Sequence, residues 1–179
     1  MSERDDLRKL ICDLAVVRGR VVLSSGAEAD WYIDLRRVAL HHAGAPLLGA
    51  VMLDLVDGWD IDAVGGLTLG ADPVAAAMLH VASQRGRALD AFVVRKEVKA
   101  HGMQRRIEGP DVAGRRVLTV EDTSTTGQSL LNAVEALREA GAAVAGTAVV
   151  VDRGAGVAAR AAGLEFRSAF TLADLDLHA

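Results

Sequence analysis

The chain has 179 residues, of which 51% are hydrophobic, and a formal net charge of −4 at neutral pH. This length predicts a single domain with a buried core, and the negative charge argues against a general nucleic-acid binder. The sequence has no apolar run long enough to span a membrane and no signal-peptide core, and its single cysteine, Cys12, excludes an internal disulfide framework. We therefore expect a cytoplasmic protein that has neither a membrane nor a nucleic acid as its partner.

Short apolar segments that are typical of buried strands alternate with helical patterns along the whole chain. Helices are predicted at residues 5–17 and 45–56, from near Asp72 and Pro73 onwards, and from Gln128 until Gly141. Strands are predicted at residues 21–23, 31–35, 61–64, 89–94, 117–120, 143–151 and 166–170. This alternation implies right-handed crossovers, so the predicted fold class is α/β, with a central, mostly parallel sheet flanked by helices.

A predicted glycine-bounded turn at residues 65–70 and the charged segments at residues 95–96, 121–122 and 152–153 all follow predicted strands. Ligands of parallel sheets bind outside the carboxyl ends of the strands. Because four separate segments fall at such ends, we expect them to form one active site.

Residues 117–130 contain a strand, an acidic pair, a row of hydroxyl residues and the beginning of a helix. A helix N-terminus provides unpaired N–H donors and a partial positive charge, which bind a phosphate without a lysine. The hydroxyls add donors, and Gly127 allows close approach of the backbone. The carboxylates of Glu121 and Asp122 suit the vicinal hydroxyls of a sugar or a hydrated magnesium ion. The segment therefore predicts a ribose 5-phosphate site; the alternative is a helix-capping turn beside solvated acids.

A basic segment follows the strand that ends at Val94. Residues 95–106 carry five lysine or arginine side chains, one acidic side chain and one histidine. The segment has no helical or strand period as far as Gly114, which predicts a mobile loop at about residues 95–115 whose cations stabilise a multiply anionic group. A solvated charged loop is the alternative, whereas a nucleic-acid patch would need aromatic residues that stack on bases.

Both segments resemble the signatures of one enzyme family. Residues 121–129 resemble the 5-phosphoribosyl 1-diphosphate (PRPP) motif of the type I phosphoribosyltransferases, and the pattern Arg-Lys-Glu-x-Lys-x-His-Gly at residues 95–102 resembles the catalytic loop of the orotate phosphoribosyltransferases. The resemblance implies one domain at residues 1–179, with a small N-terminal hood (about residues 1–40) over the active site. It also implies a homodimer in which the basic loop reaches over the neighbouring active site, and transfer of phosphoribosyl from PRPP to orotate in pyrimidine biosynthesis.

The resemblance also assigns roles to individual residues. PRPP would be bound by Arg95, Lys96, Lys99, His101, Glu121, Asp122, Thr123, Ser124, Thr125, Thr126, Gly127, Gln128 and Ser129. Lys99 and His101 would be catalytic and assist departure of diphosphate. Orotate would contact Thr125, Arg153, Tyr32 and Ile33. Magnesium would be the cofactor, held mainly by the donor substrate and not by a set of protein ligands.

Two positions depart from the family pattern. Many members have a lysine where this chain has Ser24, and many have a tyrosine-lysine pair in the segment that corresponds to residues 67–71. Serine hydroxyls and backbone N–H groups are candidates to replace these cations. Two other functions therefore stay open: transfer to another base, and a regulator that senses PRPP without catalysis. Two of the proposed orotate residues also have a simpler interpretation. Arg153 could be an ion-pair partner at the surface, and Tyr32 could be an aromatic residue of the core.

Overall fold

The computed structural model describes residues 2–22, 28–96 and 106–177. Its helices are α1 (Glu3–Leu10), which continues into a π-helical turn (Ile11–Ala15), α2 (Arg36–Ala39), α3 (Gly44–Leu55), α4 (Ala71–Gln84), α5 (Gln128–Glu139), α6 (Ala155–Ala161) and a 3₁₀ turn (Ala173–Leu175). Its strands are β1 (Val16–Val22), β2 (Glu28–Ile33), β3 (Ala63–Leu67), β4 (Asp90–Val94), β5 (Ile107–Glu108), β6 (Arg116–Ser124), β7 (Ala143–Asp152) and β8 (Phe166–Thr171). No helix in these described ranges is long and apolar enough to cross a bilayer.

Six strands form the central sheet in the order β5-β4-β3-β6-β7-β8. Every neighbouring pair is parallel except β4 with β5. Strands β1 and β2 form a separate antiparallel pair near the N-terminus. The predicted α/β fold class with a mostly parallel sheet is therefore confirmed, and the extent of the hood stays a prediction.

The two faces of the central sheet are covered by separate hydrophobic clusters. In β6, Leu118 belongs to the cluster that includes residues of α1, α3 and α4, whereas Val117 belongs to the cluster that includes residues of α5. Both side chains are fully buried. Successive side chains of a strand point to opposite faces, so this strand is buried between two helical layers, as its apolar run predicts.

Strand β6 is longer than the strand predicted at residues 117–120. It continues to pair with β7 as far as Ser124, which lies opposite Asp152. Glu121 and Asp122 therefore lie inside the strand and not after it. Their polar side chains are accommodated because this end of the sheet opens onto a cleft.

The glycine-rich segment after Val64 also differs from the prediction. Gly65 and Gly66 belong to β3 and not to a turn. A side chain at Gly65 would collide with Phe92 of β4, so the absence of a side chain allows the two strands to pack closely. The helix predicted at residues 5–17 is shorter as well, because Val16 begins β1.

At both edges of the central sheet, other parts of the chain contact individual backbone groups. At one edge, β5 pairs with the last two residues of β4, and the backbone of Gly109 lies against Phe92. At the other edge, the guanidinium of Arg4 in α1 donates a hydrogen bond to the carbonyl of Ala169 in β8 (Nη2–O 3.0 Å). These contacts connect the first helix and the segment after the basic loop to the sheet.

Replacement of Leu118 by alanine should lower the free energy of unfolding by about 2–5 kcal/mol, because it removes buried methyl groups and leaves a cavity. The matched control is Val157→Ala, since Val157 on α6 is 75% exposed and should change stability by less than about 0.5 kcal/mol. Urea unfolding of both variants measures the difference. Equal losses would contradict the burial of β6.

Candidate active site

A cleft of about 300 Å³ opens at the carboxyl edge of the central sheet. It is lined by Tyr32, Ile33, Asp34, Arg36, Leu67, Thr68, Leu69, Gly70, Lys96, Glu121, Asp122, Thr123, Ser129 and Arg153. The cleft therefore joins the four segments that the sequence predicts to converge. A second cavity of about 350 Å³, between residues 106–112 and α5, contains none of the predicted PRPP or orotate residues.

The two carboxylates at the end of β6 have different environments. Glu121 is only 6% exposed, whereas Asp122 is half-buried and its carboxylate accepts a hydrogen bond from the N–H of Thr123 (2.6 Å). Gly70 lies so close to both carboxylates that a side chain there would collide with them. Burial raises the pKa of Glu121 to about 8, and the negative charge of Asp122 contributes to the same shift. Glu121 therefore holds its proton at neutral pH and can donate a hydrogen bond to a ligand.

The hydroxyl segment leaves the sheet and leads into α5. Ser124 is buried at the end of β6, whereas Thr125 and Thr126 are exposed. The Thr126 hydroxyl accepts a hydrogen bond from the N–H of Gln128, the first residue of α5 (3.3 Å). Gly127 is buried and has a φ of +77°, which favours glycine. The turn thus presents exposed hydroxyls at a helix N-terminus, which is the arrangement that binds a phosphate.

Arg153 lies directly after β7 and lines the cleft. Its backbone N–H donates a hydrogen bond to the carbonyl of Ser124 (2.9 Å), so the ends of β6 and β7 are joined. Its guanidinium carbon lies 5.2 Å from the centre of the Trp31 ring, within the range of a cation–π interaction. The buried Nε atom of Arg153 has no hydrogen-bond partner within the described ranges. The Arg153 guanidinium as a whole is a charged donor group suited to an anionic ligand in the cleft.

Two of the predicted orotate residues are neighbours in β2 and point in opposite directions. Tyr32 is half-buried and lines the cleft. Ile33 also borders the cleft, but it is only 3% exposed and belongs to the hydrophobic core. A ligand would therefore meet the phenol of Tyr32 and little of the Ile33 side chain. Both orotate assignments stay predictions.

The first residues of the predicted basic loop are anchored to the sheet. The N–H of Arg95 donates to the carbonyl of Arg106 (2.8 Å), and the Arg95 guanidinium lies 3.5 Å from the Glu108 carboxylate. Lys96 is exposed and lines the cleft. The sequence predicted no strand in this region, whereas the structure has the two-residue strand β5. The predicted catalytic residues, Lys99 and His101, lie outside the described residues.

The sequence assigned no role to Asp34 or Arg36, whereas Thr68 and Leu69 belong to the segment 65–70 that it placed at the site. Asp34 and Arg36 form an ion pair in the cleft wall, with Nε 2.7 Å from Oδ1, and the pKa of Arg36 is raised chiefly by this hydrogen bond. Thr68 and Leu69 come from the turn after β3, and their peptide bond is cis. The Thr68 hydroxyl donates to the carboxylate of Asp72 (2.7 Å). The alternation of Tyr32 and Asp34 at a strand end was the one sequence signal that pointed to this wall.

The fold and the cleft define a phosphoribosyltransferase, and comparison with known proteins agrees. The family model for the phosphoribosyl transferase domain matches residues 41–164. The orotate phosphoribosyltransferase of Streptomyces avermitilis is 62% identical over 177 residues, which cover 97% of both chains. The enzyme of the same name from Mycobacterium tuberculosis H37Rv is 58% identical over 177 residues, which cover 98% of this chain and 97% of the relative. The chain belongs to the orotate phosphoribosyltransferase family.

Solved structures agree with this assignment. A crystal structure of the M. tuberculosis H37Rv enzyme matches 98% of this chain and 100% of its own, with a TM-score of 0.90 and 57% identity. The same enzyme in complex with PRPP has a TM-score of 0.86 and 51% identity, and covers 98% of this chain and 100% of its own. The adenine phosphoribosyltransferase of Thermoanaerobacter pseudethanolicus, at 13% identity and a TM-score of 0.65, shares the fold alone.

Replacement of Glu121 by glutamine should weaken the pH dependence of stability. The pKa of Glu121 rises from its ordinary value of 4.5 to about 8 in the folded protein, so above pH 4.5 the unfolded chain releases a proton that the folded chain retains. Stability therefore falls as pH rises through this window, by at most about 1.4 kcal/mol per pH unit from this group. Urea unfolding of both proteins across the window tests this. Parallel stability curves would contradict the raised pKa.

Replacement of Gly127 by alanine should lower stability and phosphate affinity together. Gly163→Ala is the matched control, because the two glycines have φ values of +77° and +72° and each substitution costs about 1–2 kcal/mol from the backbone alone. Only at Gly127 would the new Cβ meet neighbours, the side chain of Ala158 at 3.2 Å and the carbonyl of Ala155 at 3.3 Å. Titration with inorganic phosphate should show weaker binding for Gly127→Ala alone. Equal phosphate affinities would place the anion elsewhere.

Proposed function

We propose that the chain transfers the phosphoribosyl group of PRPP to orotate, which gives orotidine 5′-phosphate and diphosphate in the biosynthesis of UMP. The observation that carries the proposal is the single cleft in which Glu121, Asp122 and Arg153 meet the turn at the start of α5. The two relatives described above are named for this activity, and the chain matches 97% of the length of each.

The donor is bound along the end of β6. The carboxyl groups of Glu121 and Asp122 hydrogen-bond the ribose 2- and 3-hydroxyls, and the protonated form of Glu121 supplies a donor there. The 5-phosphate binds the turn formed by Thr123, Ser124, Thr125, Thr126, Gly127, Gln128 and Ser129. Backbone N–H groups and hydroxyls at a helix N-terminus hold this phosphate without a lysine. This arrangement fixes the sugar at two points.

The orotate site lies beside Arg153. Orotate is flat and anionic, and a planar guanidinium pairs with its carboxylate in a two-pronged geometry. Contact with Trp31 holds the Arg153 guanidinium in place. Tyr32 and Ile33 flank the ring, Ile33 mainly through its backbone, and Thr125 supplies a further contact.

Bond breaking separates charge between the ribose and the diphosphate. The bond from C1 to the diphosphate oxygen breaks with its electron pair on that oxygen, and the orotate nitrogen forms the new bond from the opposite face of the sugar. Arg95 and Lys96, with the catalytic Lys99 and His101, stabilise the negative charge that gathers on the diphosphate. Placement of the reactants and fixed charges supply most of the rate.

Magnesium is the proposed cofactor and is held mainly by the donor. The described residues contain no group of three or more histidine, cysteine or carboxylate side chains placed to hold a metal ion. Asp122, which is half-buried beside Glu121, is the residue that fits a hydrated magnesium ion through water. When bound, the ion neutralises negative charge on the diphosphate oxygens.

A homodimer is part of the proposal. The segment that contains Lys99 and His101 would reach over the active site of the neighbouring subunit. Lys96, where this segment begins, already lines the cleft of its own chain. A cytoplasmic location follows from the proposed place in pyrimidine biosynthesis.

A base-exchange assay tests the function against its two alternatives. The purified protein with PRPP and magnesium should consume orotate and release diphosphate, whereas hypoxanthine, adenine and uracil should remain unchanged, because they lack the carboxylate that Arg153 recognises. Turnover of another base in place of orotate would identify a different transferase. Binding of PRPP without turnover of any base would identify a sensor.

Substitution of Lys99 or His101 by alanine should reduce kcat much more than it reduces stability. These side chains are proposed to meet charge that develops on the diphosphate, and loss of one such group lowers the rate by about 10²–10³-fold. Steady-state kinetics and urea unfolding of the two variants measure the two effects separately. Wild-type turnover in both variants would remove the basic loop from the mechanism.

A further inference from the structure

Arg36 is a cation of the cleft wall that has no part in the function proposed above. We propose that Arg36 binds the diphosphate group of the donor, an inference that rests on the proposed phosphoribosyl transfer. Arg36 would then contact substrate directly, from the first residue of α2 and not from the basic loop. Three features support this assignment: the contacts of Arg36, its exposure, and the direction in which PRPP would lie in the cleft.

The side chain of Arg36 is held on one side only. The Asp34 carboxylate lies 2.7 Å from Nε, and the Tyr32 hydroxyl lies 3.4 Å from Nη2. Within the described ranges, Nη1 has no hydrogen-bond partner in the protein. The side chain is 43% exposed and lines the cleft. A guanidinium that is fixed at Nε and open at Nη1 is prepared to bind an oxyanion without a large loss of side-chain entropy.

The donor itself determines which of its anionic groups meets Arg36. With its 5-phosphate at the start of α5 and its hydroxyls on Glu121 and Asp122, the ribose directs C1 and the attached diphosphate away from α5. Arg36 and Asp122 line the same cleft, so the guanidinium shares this cleft with the proposed ribose site. Gly70 lies against the same two carboxylates. The turn at Gly70 and the guanidinium of Arg36 both line the cleft beside these carboxylates and are therefore the candidates to meet a group on C1.

The charge of the cleft requires such a cation. The carboxylates of Asp34 and Asp122 line it, and their negative charge opposes the entry of a multiply anionic diphosphate. Its cationic lining within the described residues consists of Arg36, Lys96 and Arg153. Arg153 is committed to the base carboxylate and Lys96 belongs to the loop. Arg36 is therefore the fixed positive charge that remains for the diphosphate.

The test compares Arg36→Ala with Arg36→Lys and with the matched control Arg37→Ala, since Arg37 is the next residue, is exposed and does not line the cleft. Arg36→Ala should raise the KM for PRPP and the Kd for inorganic diphosphate by about tenfold or more, because charge-assisted hydrogen bonds are lost. The KM for orotate and the Kd for ribose 5-phosphate should stay within about twofold. Arg36→Lys should recover part of the loss because it keeps the charge but not the fork. Arg37→Ala should match the wild type.

The outcomes separate this inference from the proposed function. Wild-type values of both diphosphate parameters in Arg36→Ala overturn the inference and leave the transferase activity intact. A higher KM for orotate alone would assign Arg36 to the base and also overturns it. If the wild type binds PRPP and diphosphate but converts no orotate, the proposed function fails, and calorimetry with inorganic diphosphate still decides the role of Arg36. A wild type that binds no diphosphate contradicts both. Unchanged thermal midpoints show that the variants are folded.

Discussion

Parallel pairing of β6 with β7 is the interaction on which the site depends. The pairing extends to Ser124 opposite Asp152, so Glu121 and Asp122 are held in a strand, and Arg153 follows directly beyond it. The N–H of Arg153 then closes the pair with a hydrogen bond to the Ser124 carbonyl. One ladder of backbone hydrogen bonds thus fixes the positions of Glu121, Asp122 and Arg153 relative to one another. Such placement of binding groups is a large part of what a transferase can contribute to the reaction rate.

The sequence predicted the sheet and the edge where the site lies, but not where β6 ends. Apolar runs bounded by polar residues identify buried parallel strands, and the carboxyl ends of such strands lie at one edge. Glu121 and Asp122 did not look like strand residues, because acidic residues are depleted in strands. A longer partner, β7, extends the strand regardless of this preference. Tertiary pairing therefore decided a boundary that local composition could not.

The environments of individual side chains could also not be predicted from local sequence patterns. An arginine two residues after an aspartate is usual at a protein surface, and only the packing of β2 and α2 against the cleft gives Arg36 its place. The raised pKa of Glu121 likewise arises from contacts far apart in sequence, since the turn at Gly70 covers the carboxylates of β6. The place of Gly127 before a helix could be predicted, because a glycine between hydroxyl residues and a helical pattern is a local signal that a helix begins.

The backbone contacts at the two edges of the central sheet have a consequence for strand addition. An open edge strand exposes unpaired backbone groups and invites strand addition, which leads to aggregation or domain swapping. Here β5 and Gly109 occupy the border at β4, and the guanidinium of Arg4 occupies a carbonyl on the border at β8. A strand from another copy that paired at either position would have to displace β5 from β4 or the Arg4 guanidinium from the Ala169 carbonyl.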